Sequence, residues 1–399
     1  EWADGDAVVA AIQKYLPEFE AKTGIKVTID LVSFSNALTQ IETELSSGSS
    51  AYDSVMNIFI KALRWIRPGW IVPLDDYIAK DKFDIDDFAP ALVDAHRLDG
   101  KLYAVPFASE VTLMLYRKDI LDAAGLKAPT TFTELENVLK TTQKLPDYYS
   151  YVMRTIPAGV HFPAPVWMQG FGGNIFKDPP KDVTPTLNTP EAIEAITNFT
   201  DLIMKYSIGG GQILNEGDCQ NALTQGKAGL WVDALGIFGP VLDPTKSTIS
   251  DKFAIAMPPG GPKGQFPQIA SHALAIPKAA KNKEAAWEFI KWATSKEMLL
   301  KGALESTWST NPRKSVLTNA DFAKKYSVAG VNRGELVTKS LEIAKCAYRV
   351  EPEFPEVGAR LGQAIGEIIS KQKSVKDALD AAQKDAVAIM KKAGRTITE

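Results

Sequence analysis

The chain has 399 residues, of which 45% are hydrophobic, so it can bury large cores, and its length predicts two or three domains. Its 45 basic and 48 acidic side chains give a formal net charge of −3 and are interspersed, without the long basic block that grips nucleic acids. No apolar run approaches the roughly 20 residues that cross a bilayer. These features predict a soluble globular protein that binds no nucleic acid and does not span a membrane.

The cysteines and histidines argue against a redox or metal centre. Cys219 and Cys346 lie in separate helix-like segments without CxxC spacing, which favours two free buried thiols over a disulfide. His96, His161 and His272 are far apart in the sequence, and none belongs to an HxxxH or HExxH motif. We therefore expect no metal site and no cofactor.

The first 60 residues alternate between helix-like and strand-like segments. An amphipathic helix that ends at Gly24 is followed by the strand-like stretch IKVTIDLV (25–32). A second helix around 38–45, a turn at SSGSS and the apolar run SVMNIFI (54–60) repeat the pattern. This alternation predicts parallel sheets flanked by helices.

The same rhythm continues through the rest of the chain. The stretch 189–191 supplies an N-cap threonine, a first-turn proline and an acidic residue, and so predicts the start of a helix. A glycine- and proline-rich break ends near Gln268, after which strand and helix resume. The C-terminal third is mostly helical, and its last helix is predicted to begin at Ser374 and to stop at Gly394.

Motifs that would indicate catalysis have simpler structural explanations. The GGG at 209–211 follows a long helix, so we expect a helix stop and a turn rather than a phosphate loop. The pairs Asp75-Asp76 and Asp86-Asp87 would suit a glycosidase, but each is adjacent in sequence and is typical of a helix start. The sequence has no GxSxG elbow. Nucleophilic catalysis is therefore not expected.

Aromatic residues at the ends of segments are candidates for carbohydrate contacts. An aromatic ring packs against the C–H face of a sugar while nearby polar side chains bind its hydroxyls. Phe34, Phe162 and Asp233 fit this role because they follow or end strands or lie in a proline-rich loop. Trp65 and Trp231 fit a core position better.

Several segments together resemble one family. They are FEAKTGIKV, YDSV followed by W-x-x-x-x-W-I-V-P-L-D-D-Y, DGKLYAVPFASEVTLMLYRKDIL, PTTFTEL, GFGGNIF, TLNTPEAIEAI, QGKAGLWV and ALAIPKAAKNKEAAWEFIKW. In this order they are similar to the bacterial extracellular sugar-binding proteins of ABC transporters, of the maltose-binding-protein type. The resemblance covers nearly the whole chain and is specific for the family, not for the ligand.

The resemblance implies an α/β fold with two lobes, the type II periplasmic-binding-protein fold, in which each lobe is a mostly parallel sheet flanked by helices. Hinge strands would join the lobes, with a carbohydrate held in the cleft. Glu110, in the apolar stretch YAVPFASEVTLMLY, would then face the cleft after a hinge at 108–110. The implied N-terminal lobe is 1–109 with 271–311, the C-terminal lobe is 110–270 with 312–399, and the hinges lie near 108–111, 269–272 and 310–313.

The family pattern also nominates ligand-binding residues. EWADGD resembles the first strand and its ligand loop, although the strand looks truncated. At Asn57 the maltose-binding relatives carry a tryptophan platform, and its replacement argues against a long oligosaccharide. His161 adjoins the nominated residues. The nominated set is Asp4, Asp6, Phe34, Asn57, Phe59, Lys61, Glu110, Phe162, Asp233, Ser271, His272 and Arg313.

The implied function is that of a non-catalytic receptor. It would capture a monosaccharide, disaccharide, polyol or sugar derivative by hinge closure and deliver it to the permease subunits of an ABC transporter. We expect a monomer, exported to the periplasm or cell exterior with its signal peptide removed. The alternative is a carbohydrate-processing enzyme that uses Glu110 and Asp233 as its carboxylate pair, and a lectin-like module without a transporter also stays open. The identity of the ligand is open, and a neutral one is preferred.

Overall fold

The computed structural model describes residues 2–3, 7–32, 34–210, 212–306, 310–345 and 347–398. The chain forms two compact units. Unit 1 comprises Glu1–Glu110 with Ile269–Tyr326, and unit 2 comprises Val111–Gln268 with Ser327–Glu399. Helices and strands below are numbered in chain order through both units.

Unit 1 contains short strands and nine described helices. Its strands are β1 (Trp2–Ala3), β2 (Leu31–Val32), β3 (Val55–Ile58), β4 (Arg97–Leu98), β5 (Lys101–Leu102), the first part of β6 (Ala104–Arg117) and β11 (Ile269–Ala275). Its helices are α1 (Ala7–Thr23), α2 (Phe34–Ser47), α3 (Ala62–Ile66), α4 (Asp75–Asp81), α5 (Pro90–Asp94), α13 (Lys283–Ala293), α14 (Lys296–Glu305), α15 (Lys314–Leu317) and α16 (Ala320–Lys325), with 3-10 turns at Phe59–Lys61 and Ile85–Asp87.

Unit 2 contains the remaining elements. Its strands are the last part of β6, β7 (Phe176–Asp178), β8 (Asp182–Pro185), β9 (Leu230–Ala234), β10 (Phe253–Ala256), β12 (Ser327–Val328) and β13 (Val331–Asn332). Its helices are α6 (Lys118–Ala123), α7 (Phe132–Thr142), α8 (Pro157–Val160), α9 (Ala164–Phe171), α10 (Pro190–Tyr206), α11 (Glu216–Thr224), α12 (Gly239–Leu242), α17 (Arg333–Ile343), α18 (Phe354–Ile369) and α19 (Val375–Lys392), with 3-10 turns at Leu235–Phe238, Ser250–Lys252 and Ala347–Val350.

Parallel and antiparallel strand pairs occur together. In unit 1, β1 pairs with β2 in parallel, whereas β3 pairs with β11 in antiparallel orientation, and β11 in turn neighbours β6. In unit 2, β9 and β10 both pair with β6 in antiparallel orientation. The parallel pair of β1 with β2 agrees with the helix–strand rhythm, whereas the pairs of β3 with β11 and of β6 with β9 and β10 are antiparallel.

Strand β6 is continuous through residues 104–117, where the sequence predicts two strands separated by a hinge. Every side chain of β6 is buried except that of Glu110, which is partly exposed. After Glu110 the backbone is hydrogen-bonded again at Thr112, whose amide donates to the Gln268 carbonyl at 2.8 Å. The acidic residue therefore lies outside the apolar core, as its chemistry requires.

Most of the helix starts and helix ends predicted from local sequence signals are confirmed. Thr189 caps α10 by accepting a hydrogen bond from the Ala192 amide. Ser374 caps α19 in the same way, with Asp377 as donor. Asp75 lies at the start of α4, and Gly209 and Gly210 adopt positive φ in the turn that follows α10, whereas Gly211 lies outside the described residues. Short-range capping rules suffice at these positions because their partners are close in sequence.

The prediction of a strand over 25–32 is only partly met. Residues 31 and 32 pair with β1, whereas 25–30 belong to no strand. The reason is that no neighbouring strand among the described residues lies beside 25–30, so their extended backbone has no ladder to join.

The last boundary between the units falls between Tyr326 and Ser327, later than the predicted lobe boundary at 311–312. Residues 313–326 belong to unit 1 because buried contacts hold them there. The Tyr326 hydroxyl donates to the Ala303 carbonyl at 2.6 Å, and the backbone at Arg313 bridges to Phe88. The positions at which the chain hinges remain a prediction.

Arg313 forms the most heavily bonded of these contacts. Its side chain is 1% exposed, lies over the Phe88 ring and donates to both oxygens of Asp84, at 2.7 and 2.9 Å. It also donates to Asp87 at 2.9 Å and to the Thr294 carbonyl at 2.7 Å. Burial would raise the pKa of Asp87, but hydrogen bonds from Ser315 and Arg313 hold it below its ordinary value. Arg313 thus serves the interior of unit 1.

We predict that Arg313→Met destabilises the protein by about 2 kcal/mol, because the largely buried Asp87 and the Thr294 carbonyl lose a charged donor, whereas the exposed Asp84 can be hydrated. Urea unfolding followed by far-ultraviolet circular dichroism measures this loss. Lys376→Ala is the matched control, because it removes an exposed ion pair with Asp380 and should leave the unfolding midpoint unchanged. Equal midpoints for both variants would contradict the structural role of Arg313.

A buried histidine joins α5 to β11. His96 is 0% exposed, and its Nε2 lies 3.0 Å from the Ser271 hydroxyl, which itself donates to the Leu92 carbonyl at 3.1 Å. Since the hydroxyl proton is used on Leu92, Nε2 of His96 is the donor in this pair. Burial, together with the neighbouring His272, lowers the pKa of His96 to about 3.

This buried histidine should make folding sensitive to mild acid. Below pH 6.5, the ordinary pKa of histidine, His96 binds a proton in the unfolded chain but stays neutral in the folded protein. The contribution of His96 to the free energy of unfolding is therefore fully present above that pH and is lost as the pH falls towards 3. Between pH 6.5 and 5.0 the expected loss is about 2 kcal/mol from this one group. His96→Gln should reduce the slope of that part of the pH profile in urea unfolding and leave the share that buried His272 contributes, whereas parallel profiles for the two proteins would refute the assignment.

Candidate ligand-binding site

The nominated residues fall in both units, and some cannot be placed. Asp4 and Asp6 lie outside the described residues. Phe34 is the first residue of α2. Asn57, Phe59, Lys61, Glu110, Ser271, His272 and Arg313 belong to unit 1, whereas Phe162 and Asp233 belong to unit 2.

The register of β3 against β11 sorts the nominated residues of unit 1 between two faces of the sheet. Asn57 lies opposite Ala273, and Ile58 lies opposite His272. Because side chains alternate along a strand, Asn57 and Ser271 share one face, whereas His272 points to the other. The structure therefore brings Asn57 and Ser271 together and separates both from His272.

Asn57 carries a buried polar group that no described residue satisfies. It is 0% exposed, and neither its amide nitrogen nor its amide oxygen has a hydrogen-bond partner. An unpaired buried amide costs about 1–3 kcal/mol by mutational measures. Such a residue in a four-residue buried strand calls for a partner that the described part of the chain does not supply.

His272 and Phe59 bring no charge to the site at neutral pH. The His272 ring meets the Phe107 ring edge-on, with centroids 6.3 Å apart, and burial lowers its pKa to about 4. His272 is therefore neutral at pH 7. Phe59 opens the 3-10 turn that follows β3 and is buried. Neither brings a charge to the site.

Lys61 and Glu110 differ in how their charges are placed. The Lys61 ammonium lies 2.7 Å from a Glu42 carboxylate oxygen, and the other oxygen of Glu42 takes Arg64 at 2.6 Å. Lys61 is thus paired within unit 1, where it shares the one carboxylate of Glu42 with Arg64. Glu110 is the last residue of that unit and the one partly exposed side chain of β6.

In unit 2 the charged group at the centre is an ion pair between Arg154 and Asp233. Asp233, on β9, is 0% exposed. Arg154 Nε and Nη2 donate to its two carboxylate oxygens at 3.1 and 2.7 Å, and the Ala234 amide adds a third bond at 2.8 Å. Burial raises the pKa of the Asp233 carboxyl, whereas Arg154 and Ala234 oppose that rise. The bidentate geometry fixes the plane of the guanidinium.

The backbone around this pair is built for close packing. The Val152 amide donates to the Leu230 carbonyl at 2.9 Å, and this hydrogen bond places the segment before Arg154 beside β9. A Cβ on Gly159 would come within 2.9 Å of Arg154 Cδ, so glycine is needed there for the arginine stem to pass. Nearby, burial and the charge of Asp233 raise the pKa of Glu216.

Arg154 was not among the residues predicted from sequence. A signal was present, because it directly follows the apolar run YVM, just as Asp233 follows the apolar run AGLWV. A charged residue at the end of a buried run marks the point where a segment leaves the core. What the sequence does not reveal is that these two segments lie side by side.

The aromatic nominees of unit 2 are mostly packed inside it. Phe162 is 7% exposed and follows α8, where its amide donates to the Gly159 carbonyl at 3.0 Å. The His161 ring meets Phe354 edge-on at 5.6 Å. Trp231 is fully buried against Phe238, and Trp65 of unit 1 is also fully buried, which confirms the core position expected for both tryptophans.

The structure offers neither a membrane-spanning helix nor a metal-binding cluster among the residues it describes. In this part of the chain no helix combines the length and the apolar character needed to cross a membrane. Within the same residues no cluster of three or more His, Cys, Asp or Glu side chains could hold a metal ion. Cys219 is a buried free thiol, and Cys346 lies outside the described residues.

Comparison with known proteins gives a consistent family. The model of the bacterial extracellular solute-binding proteins matches residues 2–299. The mannitol-binding protein of Pseudomonas aeruginosa is 26% identical over 380 residues, which are 90% of this chain and 85% of that protein. The maltotriose-binding protein of Pyrococcus abyssi is 28% identical over 349 residues, 84% of this chain and 68% of that protein.

A solved structure agrees with this assignment. An ABC transporter solute-binding protein from Agrobacterium radiobacter K84, in complex with ribitol, is 27% identical and superposes with a TM-score of 0.83, covering 97% of each chain. The resemblance seen in the sequence is thereby confirmed. The chain belongs to the bacterial extracellular solute-binding proteins and has their two-lobed α/β fold.

Proposed function

We propose that this chain is the solute-binding receptor of an ABC importer and that its ligand is a small neutral polyhydroxylated compound, in the first place a sugar alcohol. Support comes from the family, from relatives described as binding mannitol and ribitol, and above all from the unsatisfied amide of Asn57.

Asn57 suits a hydroxyl group better than an anion. Its side-chain amide offers a donor and an acceptor side by side, and a hydroxyl can both accept from the first and donate to the second. An anionic oxygen would satisfy the nitrogen and repel the carbonyl oxygen. A polyol therefore supplies what the buried amide lacks in the free protein.

The cationic side chains considered for the site already have carboxylate partners within their own units. Lys61 pairs with Glu42, Arg313 with Asp84 and Asp87, and Arg154 with Asp233. An anionic ligand would have to compete with these carboxylates, whereas a neutral hydroxyl can use the donors of Arg154 that Asp233 leaves over. Arg154, which is 16% exposed, is the group we add to the nominated ligand contacts.

The aromatic side chains favour a small ligand. Asn57 stands where the maltose-binding type carries a tryptophan platform, and the rings of Trp65 and Trp231 are buried in the cores of their units. A long oligosaccharide depends on exposed ring faces for stacking. An oligosaccharide is the second candidate ligand, because one relative is a maltotriose-binding protein.

The proposed mechanism is capture by lobe closure. A ligand that makes contacts with both lobes shifts the population towards closed conformations, because only these offer both sets of contacts at once. We propose Glu110 of unit 1 and Arg154 of unit 2 for these contacts, with Asp233 holding the Arg154 guanidinium in place. The closed monomer would then be read by the permease subunits, outside the cytoplasmic membrane, after export and removal of a signal peptide.

The bonding of Asp233 argues against the alternative of a carbohydrate-processing enzyme that uses this carboxylate. Its two oxygens are engaged by Arg154 and the Ala234 amide in a fully buried position, so a substrate would find no carboxylate oxygen free to exchange a proton. We propose that the protein catalyses no reaction. Chromatography after incubation with the ligand should therefore return it unchanged.

A thermal-shift panel with mannitol, ribitol, maltotriose and gluconate tests the ligand class. At a hundred times its dissociation constant a ligand adds about 2.7 kcal/mol to the free energy of unfolding, which raises the melting temperature by several degrees. We expect this rise with the two sugar alcohols. A rise confined to gluconate would overturn the neutral ligand, and one confined to maltotriose would overturn the small one.

Asn57→Leu separates binding from stability. Replacing an unpaired buried amide by an apolar side chain of similar size should leave the free protein equally stable or more stable, by about 1 kcal/mol, while affinity for the polyol falls at least about tenfold. Calorimetric titration and urea unfolding measure the two effects. Asn311→Leu is the matched control, since this 3% exposed asparagine has partners in Leu299 and Arg313 and should lose stability instead. Loss of stability in both variants would refute the assignment.

A further inference from the structure

Three glycines of helix α18 lie on one side of that helix. Gly358, Gly362 and Gly366 are four residues apart, so they follow one another along the same face, and all three are buried. Glycine inside a helix is less favourable than alanine because it loses more conformational freedom on folding. We therefore looked for the contact that excludes a side chain at each position.

At Gly362 the excluding contact is the backbone of α8. A Cβ on this residue would lie 2.2 Å from the Pro157 carbonyl oxygen, 2.9 Å from its carbonyl carbon and 3.0 Å from its Cα. Because these are main-chain atoms, a methyl group fits only if α8 moves relative to α18. With a hydrogen in that place, the contact is a Cα–H···O approach of the kind found where helices pack closely. Gly362 thus sets how near α8 comes to α18.

Gly366, one turn further along α18, has room for a methyl group. Its Cβ would meet Ile213 Cδ1 at 3.7 Å and Pro157 Cγ at 4.0 Å, which are ordinary van der Waals contacts. Gly362 and Gly366 are therefore two buried glycines of one helix that both face Pro157. An alanine displaces α8 at the first position and fits at the second.

Helix α8 in turn lies against the side chain of Arg154. A Cβ on Gly159 would come within 2.9 Å of Arg154 Cδ and 3.0 Å of its Nε. The start of α8 is tied to the segment that carries Arg154, because the Gly159 and Val160 amides both donate to the Ile156 carbonyl, at 2.8 and 3.0 Å. A displacement of α8 therefore changes the space in which the Arg154 side chain reaches Asp233.

We propose that Gly362 is a positioning residue for Arg154: because it has no side chain, it seats α8 against α18, and α8 in turn holds the Arg154 guanidinium in its paired geometry with Asp233. The chain of contacts runs through the Pro157 carbonyl and Gly159, all within unit 2. The inference rests on the proposed function only in taking Arg154 as a ligand contact. A residue of α18 then controls the affinity for the solute through the backbone of another helix.

Nuclear magnetic resonance of the arginine side chains tests the positioning without a ligand. Protein with ¹⁵N-labelled arginine gives an Nε–H signal for each side chain, and Arg154→Lys identifies that of Arg154 by its loss. This proton is bonded to Asp233 in a largely buried pair, so it should exchange slowly with water. Gly362→Ala should shift the signal and speed this exchange at least about tenfold.

Gly366→Ala is the matched control. It makes the same substitution on the same face of α18, where the methyl group has room, so it should leave the Arg154 signal unchanged and keep or raise the melting temperature. An unchanged Arg154 signal in folded Gly362→Ala would overturn the proposal. Equal changes of that signal in both variants would overturn it as well.

Gly159→Ala tests the same chain of contacts from its other end. Its methyl group meets Arg154 directly, so the Arg154 signal should shift in this variant too, and an unchanged signal would refute the role of α8 even if Gly362→Ala did not fold.

Calorimetric titration with mannitol measures the consequence for binding. Gly159→Ala and Gly362→Ala should each weaken binding about tenfold, and the double variant should lose clearly less than the product of the two, because both substitutions act on one side chain. Losses that multiply, or unchanged affinity in either single variant, would overturn the proposal. Failure of the unsubstituted protein to bind mannitol would count against the proposed function instead, and the Arg154 signal would still decide the positioning.

Discussion

Burial of β6 is the constraint on which much of the described structure depends. This strand contributes hydrogen-bonded residues to both units, and its side chains are buried from Ala104 to Arg117 apart from Glu110. A carboxylate in such a run has to stay in contact with water or with a polar partner, because its transfer into an apolar core is costly. Glu110 is thus the carboxylate of this strand and its one side chain that is not buried. Unit 1 ends at that residue.

Pairing of charges inside each unit shapes what the protein can bind. Lys61, Arg154 and Arg313 each donate to carboxylates of their own unit, and two of these pairs place a fully buried partner in a bidentate or multiply bonded arrangement. Buried pairs of this kind contribute little net stability, yet losing one partner is costly, so they act chiefly to fix geometry. Arg154 is an example: Asp233 orients its guanidinium, and its remaining donors suit hydroxyl groups. The unsatisfied amide of Asn57 adds a matching donor and acceptor in unit 1.

Much of the fold was accessible from the sequence because it depends on short-range rules. Caps at Thr189 and Ser374 and the glycine turn after α10 involve partners within a few residues, and all lie where the pattern predicts. The strand at 25–32 is a different case. Its alternation is plain in the sequence, but pairing needs a neighbour from elsewhere in the chain, and among the described residues Leu31 and Val32 have one in β1 whereas 25–30 do not. A pattern can show that a segment is suited to a sheet without showing that the sheet is complete there.

By itself the sequence determined the family, the alternation of helices and strands, and the position of an acidic residue in an otherwise apolar strand, because each is written in local composition and spacing. Only the tertiary structure decided how the nominated side chains are used. It placed Arg313 in a buried network with Asp84 and Asp87, separated Asn57 from His272 on opposite faces of one sheet, and joined Asp233 to Arg154, 79 residues earlier in the chain. The physical reason is that side-chain direction and pairing depend on register between distant segments, and a shift of one residue turns a side chain from one face to the other.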